Sequence, residues 1–291
     1  MSISQSIILG IMQGIAEWLP ISSSGHLVIA QEFFGLQNAM FFDIMLHIAT
    51  IFVVFIVFWK DIKEILKALF KRDFRSEYGK LAIYVIIGSI PTGIIGFLFC
   101  DTFEKLFSNL WAVGGALMVT GILLLLTRKK HTYIIPRLTR HPENLKYSLP
   151  NLIPHQAQND IEEYRELNGK SSFLIGIVQG IAIIPGISRS GSTISAGILM
   201  GINKEKAARF SFLLSIPAII GAFLLEFNRL DMPTNSAQTA RILTGMIAAM
   251  LAGYISLKLL LKIIKLEKFY LFGYYCIAVS AILINILLFV K

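Results

Sequence analysis

Long apolar runs separated by short basic loops dominate the chain. Six runs, about 41–58, 82–99, 110–127, 208–226, 240–257 and 269–290, carry few charges. They approach the roughly 20 residues that an α-helix needs to cross a bilayer core. Two further apolar regions, about 3–35 and 172–201, break near their middles. The first breaks at Pro20 and Gly25, the second at Pro185, Gly186 and Gly191. Each half is too short to span, so each region predicts a re-entrant hairpin of two half-helices joined by a polar turn. Non-helical backbone at membrane depth is tolerated only where protein or a water-filled cavity surrounds it. The expected fold class is an all-α polytopic membrane protein. A closed β-barrel is excluded, because it needs alternating strands of about 10 residues rather than continuous apolar runs.

The two broken regions resemble each other. "GIMQGIAEWLPISSSGH", Gly10 to His26, is matched by "GIVQGIAIIPGISRSGS", Gly176 to Ser192. Lysine and arginine crowd 59–81, 128–171, 203–209 and 258–268, whereas 100–109 holds only Lys105. Basic loops belong on the cytoplasmic side. The first hairpin then enters from outside and the second from inside, with three crossings between them. The expected organisation is an inverted-topology repeat: 1–127 as the first unit, 128–171 as a polar cytoplasmic loop, and 172–291 as the second unit. Both termini would lie outside. Such repeats place their site near the midplane, where the broken helices meet.

Composition fits this picture. Of 291 residues, 55% are hydrophobic and 15% charged, against about 25% charged in a soluble domain. The net charge of +9 sits in inter-helix loops, which argues against nucleic acid. Cys100 and Cys276 offer neither a disulfide framework nor metal spacing. His131, His141 and His155 in the polar loop also lack metal-ligand spacing. The N-terminus has no basic region before its apolar run and is read as part of the mature protein. "KDIKEILKALFKR" puts Ile62, Ile65, Leu66 and Leu69 on one helical face and is expected along the cytoplasmic interface. "KFYLFGYYC" reads as an aromatic belt, and "GSIPTGIIG" as a kinked, close-packing helix.

Ionisable groups inside apolar segments cost at least about 2.5 kcal/mol each and point to function. Here they are Glu17, His26 and Arg189 in the hairpins, with Asp43 and His47 near a helix start. Pro185 to Thr193, "PGISRSGST", combines a guanidinium, the hydroxyls of Ser188, Ser190, Ser192 and Thr193, and two glycines before an apolar helix. Glycines admit an anion to backbone N–H groups, a helix N-terminus favours negative charge, and arginine binds phosphate as a fork. This predicts a phosphate cradle, with Ser22, Ser23, Ser24, Gly25 and His26 as its facing half. Aligning the copies pairs Gln13 with Gln179, Ser22 with Ser188, Ser24 with Ser190 and Gly25 with Gly191. They diverge at Glu17 against Ile183, Ser23 against Arg189, and His26 against Ser192. One copy holds the acid–base groups and the other the anion clamp, as a reaction at phosphorus requires. Ser23 or His26 would attack, Glu17 would act as base or hold a divalent ion, and Arg189 would neutralise developing charge. Asp43 and His47, four apart, are expected to pack or cap their helix start, or to orient neighbouring groups.

These motifs resemble the bacterial undecaprenyl-diphosphate phosphatases, also called bacitracin-resistance proteins. The family's Glu/Gln-x-x-x-Glu is here Gln13 to Glu17, its Ser-Ser-x-Gly-His is Ser22 to His26, and its Pro-Gly-x-Ser-Arg-Ser-x-x-Thr is Pro185 to Thr193. The resemblance implies a hydrolase of the bacterial plasma membrane, opening to the outer face. It would convert undecaprenyl diphosphate to undecaprenyl phosphate and inorganic phosphate, recycling the carrier of wall synthesis and giving bacitracin resistance. It implies a divalent cation, Mg²⁺ or Ca²⁺, with Glu17 as candidate metal ligand. It makes Glu17, His26 and Arg189 the expected essentials and Ser23 the nucleophile or a phosphate ligand. Gln13, Ser22, Ser24, Gly25, Ser188, Ser190, Gly191 and Thr193 become the expected diphosphate contacts. The expected partners are the polyprenyl diphosphate and membrane lipids, with room for a homodimer and no nucleic acid. Two features depart from the pattern: 128–171 looks longer than usual, and Gln13 stands where a second carboxylate could. A transporter or flippase for an anionic lipid is the other class of protein that builds such repeats. The gathering of reactive groups on one hairpin favours the enzyme.

Overall fold

The computed structural model describes residues 1–36, 40–128, 164–227 and 235–289. The polar loop with its three histidines lies almost wholly outside the described residues. Those residues form twelve helices: α1 (Ile3–Trp18), α2 (Ser23–Phe33), α3 (Met40–Val57), α4 (Trp59–Phe70), α5 (Glu77–Leu98), α6 (Cys100–Phe107), α7 (Leu110–Leu126), α8 (Gly169–Ile181), α9 (Arg189–Leu199), α10 (Lys204–Glu226), α11 (Ser236–Lys265) and α12 (Leu271–Phe289). Five of them, α3, α5, α10, α11 and α12, are long and apolar enough to cross a membrane. This is a polytopic helical membrane protein.

The sequence-based expectations need three adjustments. The run at 240–257 is part of a 30-residue helix that continues to Lys265, because Leu257, Leu260 and Ile264 keep burying one face beyond the apolar core. The 100–109 loop is largely the short helix α6, which meets α7 at 101°. The break between it and the 17-residue α7 falls at Ser108 and Asn109, the latter extended at φ −114°, ψ 96°. Asn109 starts α7 cleanly, its side chain accepting from the N–H groups of Trp111 and Ala112. Third, Gly25 and Gly191 lie inside the first turns of α2 and α9, not in the breaks. At α4, Ile62 and Ala68 are buried while Lys63 and Lys67 are exposed.

The first break follows from Pro20. A residue before proline is pushed out of the helical region, and Leu19 is extended, with ψ 142°. The second break turns at Gly186, with φ +99°. In each hairpin a serine then restarts the helix. Ser22 accepts from the N–H of Gly25 at 3.2 Å, and Ser188 accepts from that of Gly191 at 3.0 Å.

Small residues let the half-helices lie close to their neighbours. In α1, Gly10 packs on the backbone of Gly245 and Gly14 on Ala249 and Gly253 of α11. In α8, Gly176 packs on Gly88 and Gly180 on Ile95 of α5, and the Thr92 hydroxyl bonds the Gly176 carbonyl at 2.8 Å. Helices α7 and α12 run antiparallel, Gly121 opposite Gly273 and Gly114 opposite Ile284. Without a hydrophobic drive between helices in lipid, such close approach and interhelical hydrogen bonds hold a bundle together. The largest core cluster joins both halves of the chain through Trp18, Phe58, Ile175, Ile194, Phe212 and Leu257.

The two hairpin tips clasp each other. The Ser22 hydroxyl also accepts from the N–H of Gly186 at 3.1 Å. A Cβ at Gly25 would meet the Gly186 Cα at 3.0 Å, and one at Gly191 would meet the Pro20 Cβ at 3.2 Å. A Cβ on Gly186 would meet the Val113 carbonyl at 2.5 Å and the Ala116 Cβ at 2.7 Å. Gly186→Ala should therefore lower the melting temperature of the detergent-solubilised protein and cut its yield. It combines a left-handed backbone, costing about 1–2 kcal/mol, with overpacking worth about 1–3 kcal/mol.

Candidate active site

The clasp brings Glu17, at the end of α1, against the start of α9. Glu17 is only 6% exposed, and both of its carboxylate oxygens have partners. Oε1 pairs with the Arg189 guanidinium. Oε2 accepts from the Ser23 hydroxyl at 2.6 Å and from the Gln13 amide at 3.0 Å, one helical turn back. His47 of α3 approaches the same oxygen with Nε2 at 3.5 Å. A buried charge persists only when it is paired and hydrogen-bonded, and Glu17 has both kinds of partner.

Arg189 is fixed from two sides. Its guanidinium lies 5.5 Å over the Trp18 ring and pairs with Glu17 through Nη2. Trp18 is itself fully buried, edge-on to Phe212 at 5.7 Å. The other guanidinium nitrogen, Nη1, is buried and has no hydrogen-bond partner. An unsatisfied buried donor is expensive, and a cation held this way is ready for an anion. It also stands at the N-terminus of α9, where the helix dipole favours negative charge.

The remaining candidate residues divide. Ser22 and Ser188 cap α2 and α9, and Ser22 bridges the tips as well. Ser24 lies 3.4 Å from the Ser22 hydroxyl, and Ser190 lies 3.3 Å from that of Ser188. Thr193 turns towards α10, with its hydroxyl 2.5 Å from that of Ser211 and bonded to the Arg189 carbonyl at 2.8 Å. Several of these hydroxyls thus serve the scaffold around Arg189 and Ser23. Gly25 and Gly191 provide the close approach between tips.

His26 stands apart from the Glu17 carboxylate, one turn along α2 from Ser23. Its Nδ1 lies 2.8 Å from the Ser22 carbonyl, and its Nε2 lies 2.8 Å from the Tyr275 hydroxyl of α12. A carbonyl only accepts, so Nδ1 carries the proton. The neutral ring then offers its Nε2 lone pair to the Tyr275 O–H. The two rings are stacked, 5.7 Å apart and 10° from parallel.

Two residues here were not among the expected site groups. His47 meets Glu17, its ring oriented by Nδ1 at 2.8 Å from the Asp43 carbonyl. Asp43 accepts from the Gln31 amide at 2.6 Å, tying α3 to α2. The signal for His47 was present, an ionisable pair four residues apart in an apolar span. Tyr275 carried none, since an aromatic facing a site and one facing lipid look alike in sequence.

Known proteins resemble this chain along nearly its whole length. Residues 6–282 match the family model described as bacitracin resistance protein BacA. The undecaprenyl-diphosphatase of Methanosphaera stadtmanae is 38% identical over 298 aligned residues, covering 98% of each chain. That of Halothermothrix orenii is 41% identical over 286 residues, again 98% of each. That of Bacteroides fragilis is 36% identical over 290 residues, 96% of each. Relatives covered so completely are of similar overall length. With the hairpin motifs at the meeting point of the tips and the match running almost from end to end, the chain belongs to the bacitracin resistance protein BacA family.

Proposed function

We propose that this protein is an integral membrane undecaprenyl-diphosphate phosphatase, which yields undecaprenyl phosphate and inorganic phosphate and thereby supports wall synthesis and bacitracin resistance. The observation that carries the chemistry is the Ser23–Glu17–Arg189 arrangement, a hydroxyl donating to a carboxylate beside a cation with a spare buried donor. A nucleophile within hydrogen-bond reach of a base that a third group orients is the signature of covalent catalysis. The terminal phosphate sits against Arg189 Nη1 and the α9 N-terminus. Ser23 Oγ attacks its phosphorus and passes its proton to Glu17 Oε2. The bond to the bridging oxygen breaks, and undecaprenyl phosphate leaves. Arg189 neutralises the charge that develops on the phosphoryl oxygens. Water then attacks the phosphoserine. His26 Nε2 takes a water proton, the Ser23 Oγ–phosphorus bond breaks, and Glu17 returns its proton to Ser23.

The donor set suits a hard divalent cation, Mg²⁺ or Ca²⁺, arriving with the diphosphate. Glu17 supplies a carboxylate, and the Gln13 Oε1 beside it is buried without a hydrogen-bond partner. Among the described residues no group of three or more His, Cys, Asp or Glu could hold a metal. An ion would thus complete its shell from phosphate oxygens and water, as Mg²⁺ usually does. When bound, such an ion acts as a Lewis acid on the phosphates.

The inverted repeat of 1–127 and 172–291 belongs to this proposal. It is supported by α1 lying on α11 as α8 lies on α5, and by the antiparallel pairing of α7 with α12. The Lys and Arg distribution supports a place in the bacterial inner membrane with the site open to the outer face and both termini outside. A homodimer is compatible with this layout.

The test is phosphate release from undecaprenyl diphosphate by the purified detergent-solubilised protein, with and without divalent cation. Cation-dependent release is expected. Ser23→Ala should lower kcat by at least about 10²-fold and abolish any phosphoserine trapped by acid quenching. A folded protein that binds the lipid yet releases no phosphate under any cation would overturn the reading.

A further inference from the structure

We propose that Tyr275 is a positioning residue for the second half of this reaction, holding His26 as the base that activates water. The inference rests on the covalent reading above. Glu17 is committed to Ser23, which donates to it at 2.6 Å, and is therefore protonated once the phosphoserine has formed. A second base is then needed for water. His26 lies one turn from Ser23 on the same face of α2, since residues three apart are neighbours on a helix. Its Nδ1–H is spent on the Ser22 carbonyl, which leaves Nε2 as an acceptor. On its own, an imidazole held at one nitrogen can still swing about that bond. Tyr275 restrains it: its hydroxyl meets Nε2 at 2.8 Å, and its ring runs nearly parallel to the imidazole, 10° off with the centroids 5.7 Å apart.

Helix α12 is well placed to hold this tyrosine still. Next in sequence, Cys276 is fully buried with its sulfur 3.5 Å from the Pro20 carbonyl at the first hairpin tip. One turn on, the Ser280 hydroxyl bonds the Gly114 carbonyl of α7 at 2.6 Å. Tyr275 is 43% exposed, so its hydroxyl can yield its place at Nε2. In the second step a water hydrogen replaces the phenol hydrogen at Nε2. The water oxygen bonds to phosphorus as the Ser23 Oγ–phosphorus bond breaks, Ser23 recovers its proton from Glu17, and His26 later releases its proton to solvent. The phenol is neither consumed nor deprotonated, and its work is to keep the imidazole in one orientation, the tautomer being set by the Ser22 carbonyl.

The test separates the two half-reactions by rapid mixing of undecaprenyl diphosphate with full-length protein in detergent. Undecaprenyl phosphate release, inorganic phosphate release and Ser23 phosphorylation, read by mass spectrometry after acid quench, are followed together. Tyr275→Phe keeps the ring and removes the hydroxyl. It should leave the burst of undecaprenyl phosphate unchanged, slow the steady state about tenfold, a part of the 10²–10⁴ that a general base supplies, and accumulate phosphoserine. His26→Gln should accumulate more. In that background Tyr275→Phe should have no further effect, because a residue that acts only through His26 has nothing left to position. Equal slowing of burst and steady state in Tyr275→Phe, no slowing at all, or the same slowing with His26→Gln present would overturn the assignment. Failure of the covalent reading looks different: no burst and no phosphoserine in any form of the protein, with Ser23→Ala active.

Discussion

Arg189→Lys inserts, folds and binds lipid, yet turns over undecaprenyl diphosphate slower by a factor on the order of 10³–10⁵, the range that an arginine supplies in phosphoryl transfer. The expectation follows from how the guanidinium is used. One nitrogen pairs with Glu17, the plane lies over Trp18, and Nη1 remains buried and unpartnered. Lysine preserves the charge that Glu17 requires, so the buried carboxylate is not abandoned. It has no fork with which to hold Glu17 and phosphate together, and no plane to stack. Arg189→Ala should be equally inactive but also less stable, because removing one partner of a buried pair costs about 3–5 kcal/mol. Steady-state phosphate release and a thermal melt in detergent, run on both variants, check this. Lysine activity within a few-fold of the native chain would mean that the phosphate does not meet Nη1.

Glu17→Gln should lower kcat by about 10²–10⁴-fold, the usual contribution of a general base, and leave no burst of undecaprenyl phosphate. The amide oxygen can still accept from Ser23 or Arg189, but the buried guanidinium loses its counter-charge, so a lower melting temperature in detergent accompanies the loss of activity. The amide oxygen cannot, however, take the Ser23 proton. Rapid-quench measurement of the first turnover is the decisive readout. A variant that phosphorylates Ser23 at the native rate and stalls afterwards would move Glu17 from the first half-reaction to the second. Titrating divalent cation in the same assay separates the roles. A pure loss of the base leaves the cation dependence unchanged, whereas loss of a ligand shifts it to higher concentration.

The hairpins were legible because they are apolar segments that carry what apolar segments avoid. Glu17 and Arg189 are costly in such surroundings, and the second copy of the motif made the punctuation at Pro20 and Pro185 meaningful. The roles of the small and hydroxylated residues were less legible. Ser22 and Ser188 look like phosphate ligands in a string of serines, but each also has a glycine three residues on whose N–H it caps. Gly25 and Gly191 look like openings for an anion, but each is where the other tip presses. His26 was read, with Ser23, as a candidate to attack phosphorus, on its motif alone. Its partner Tyr275 on α12 lies 249 positions further on, which no local pattern could connect. The extra length of α11 and the helix at Cys100–Phe107 were hidden for the usual reason: charged residues end an apolar run before they end a helix.

The ion pair at the heart of the site also bears on how the protein is made. Glu17 and Arg189 are 172 residues apart. At a synthesis rate of about 5–20 residues per second, the carboxylate leaves the ribosome on the order of 10–30 s before its cation does. Throughout that interval the first hairpin cannot settle at its final depth without burying a lone charge. His47, which emerges much sooner and ends 3.5 Å from the same oxygen, is the nearest group able to shelter it. The first hairpin must therefore wait, partly wet, for the carboxy-terminal half, and nascent chains cut short before Arg189 should keep that hairpin open to quality-control proteases while their spanning helices stay inserted.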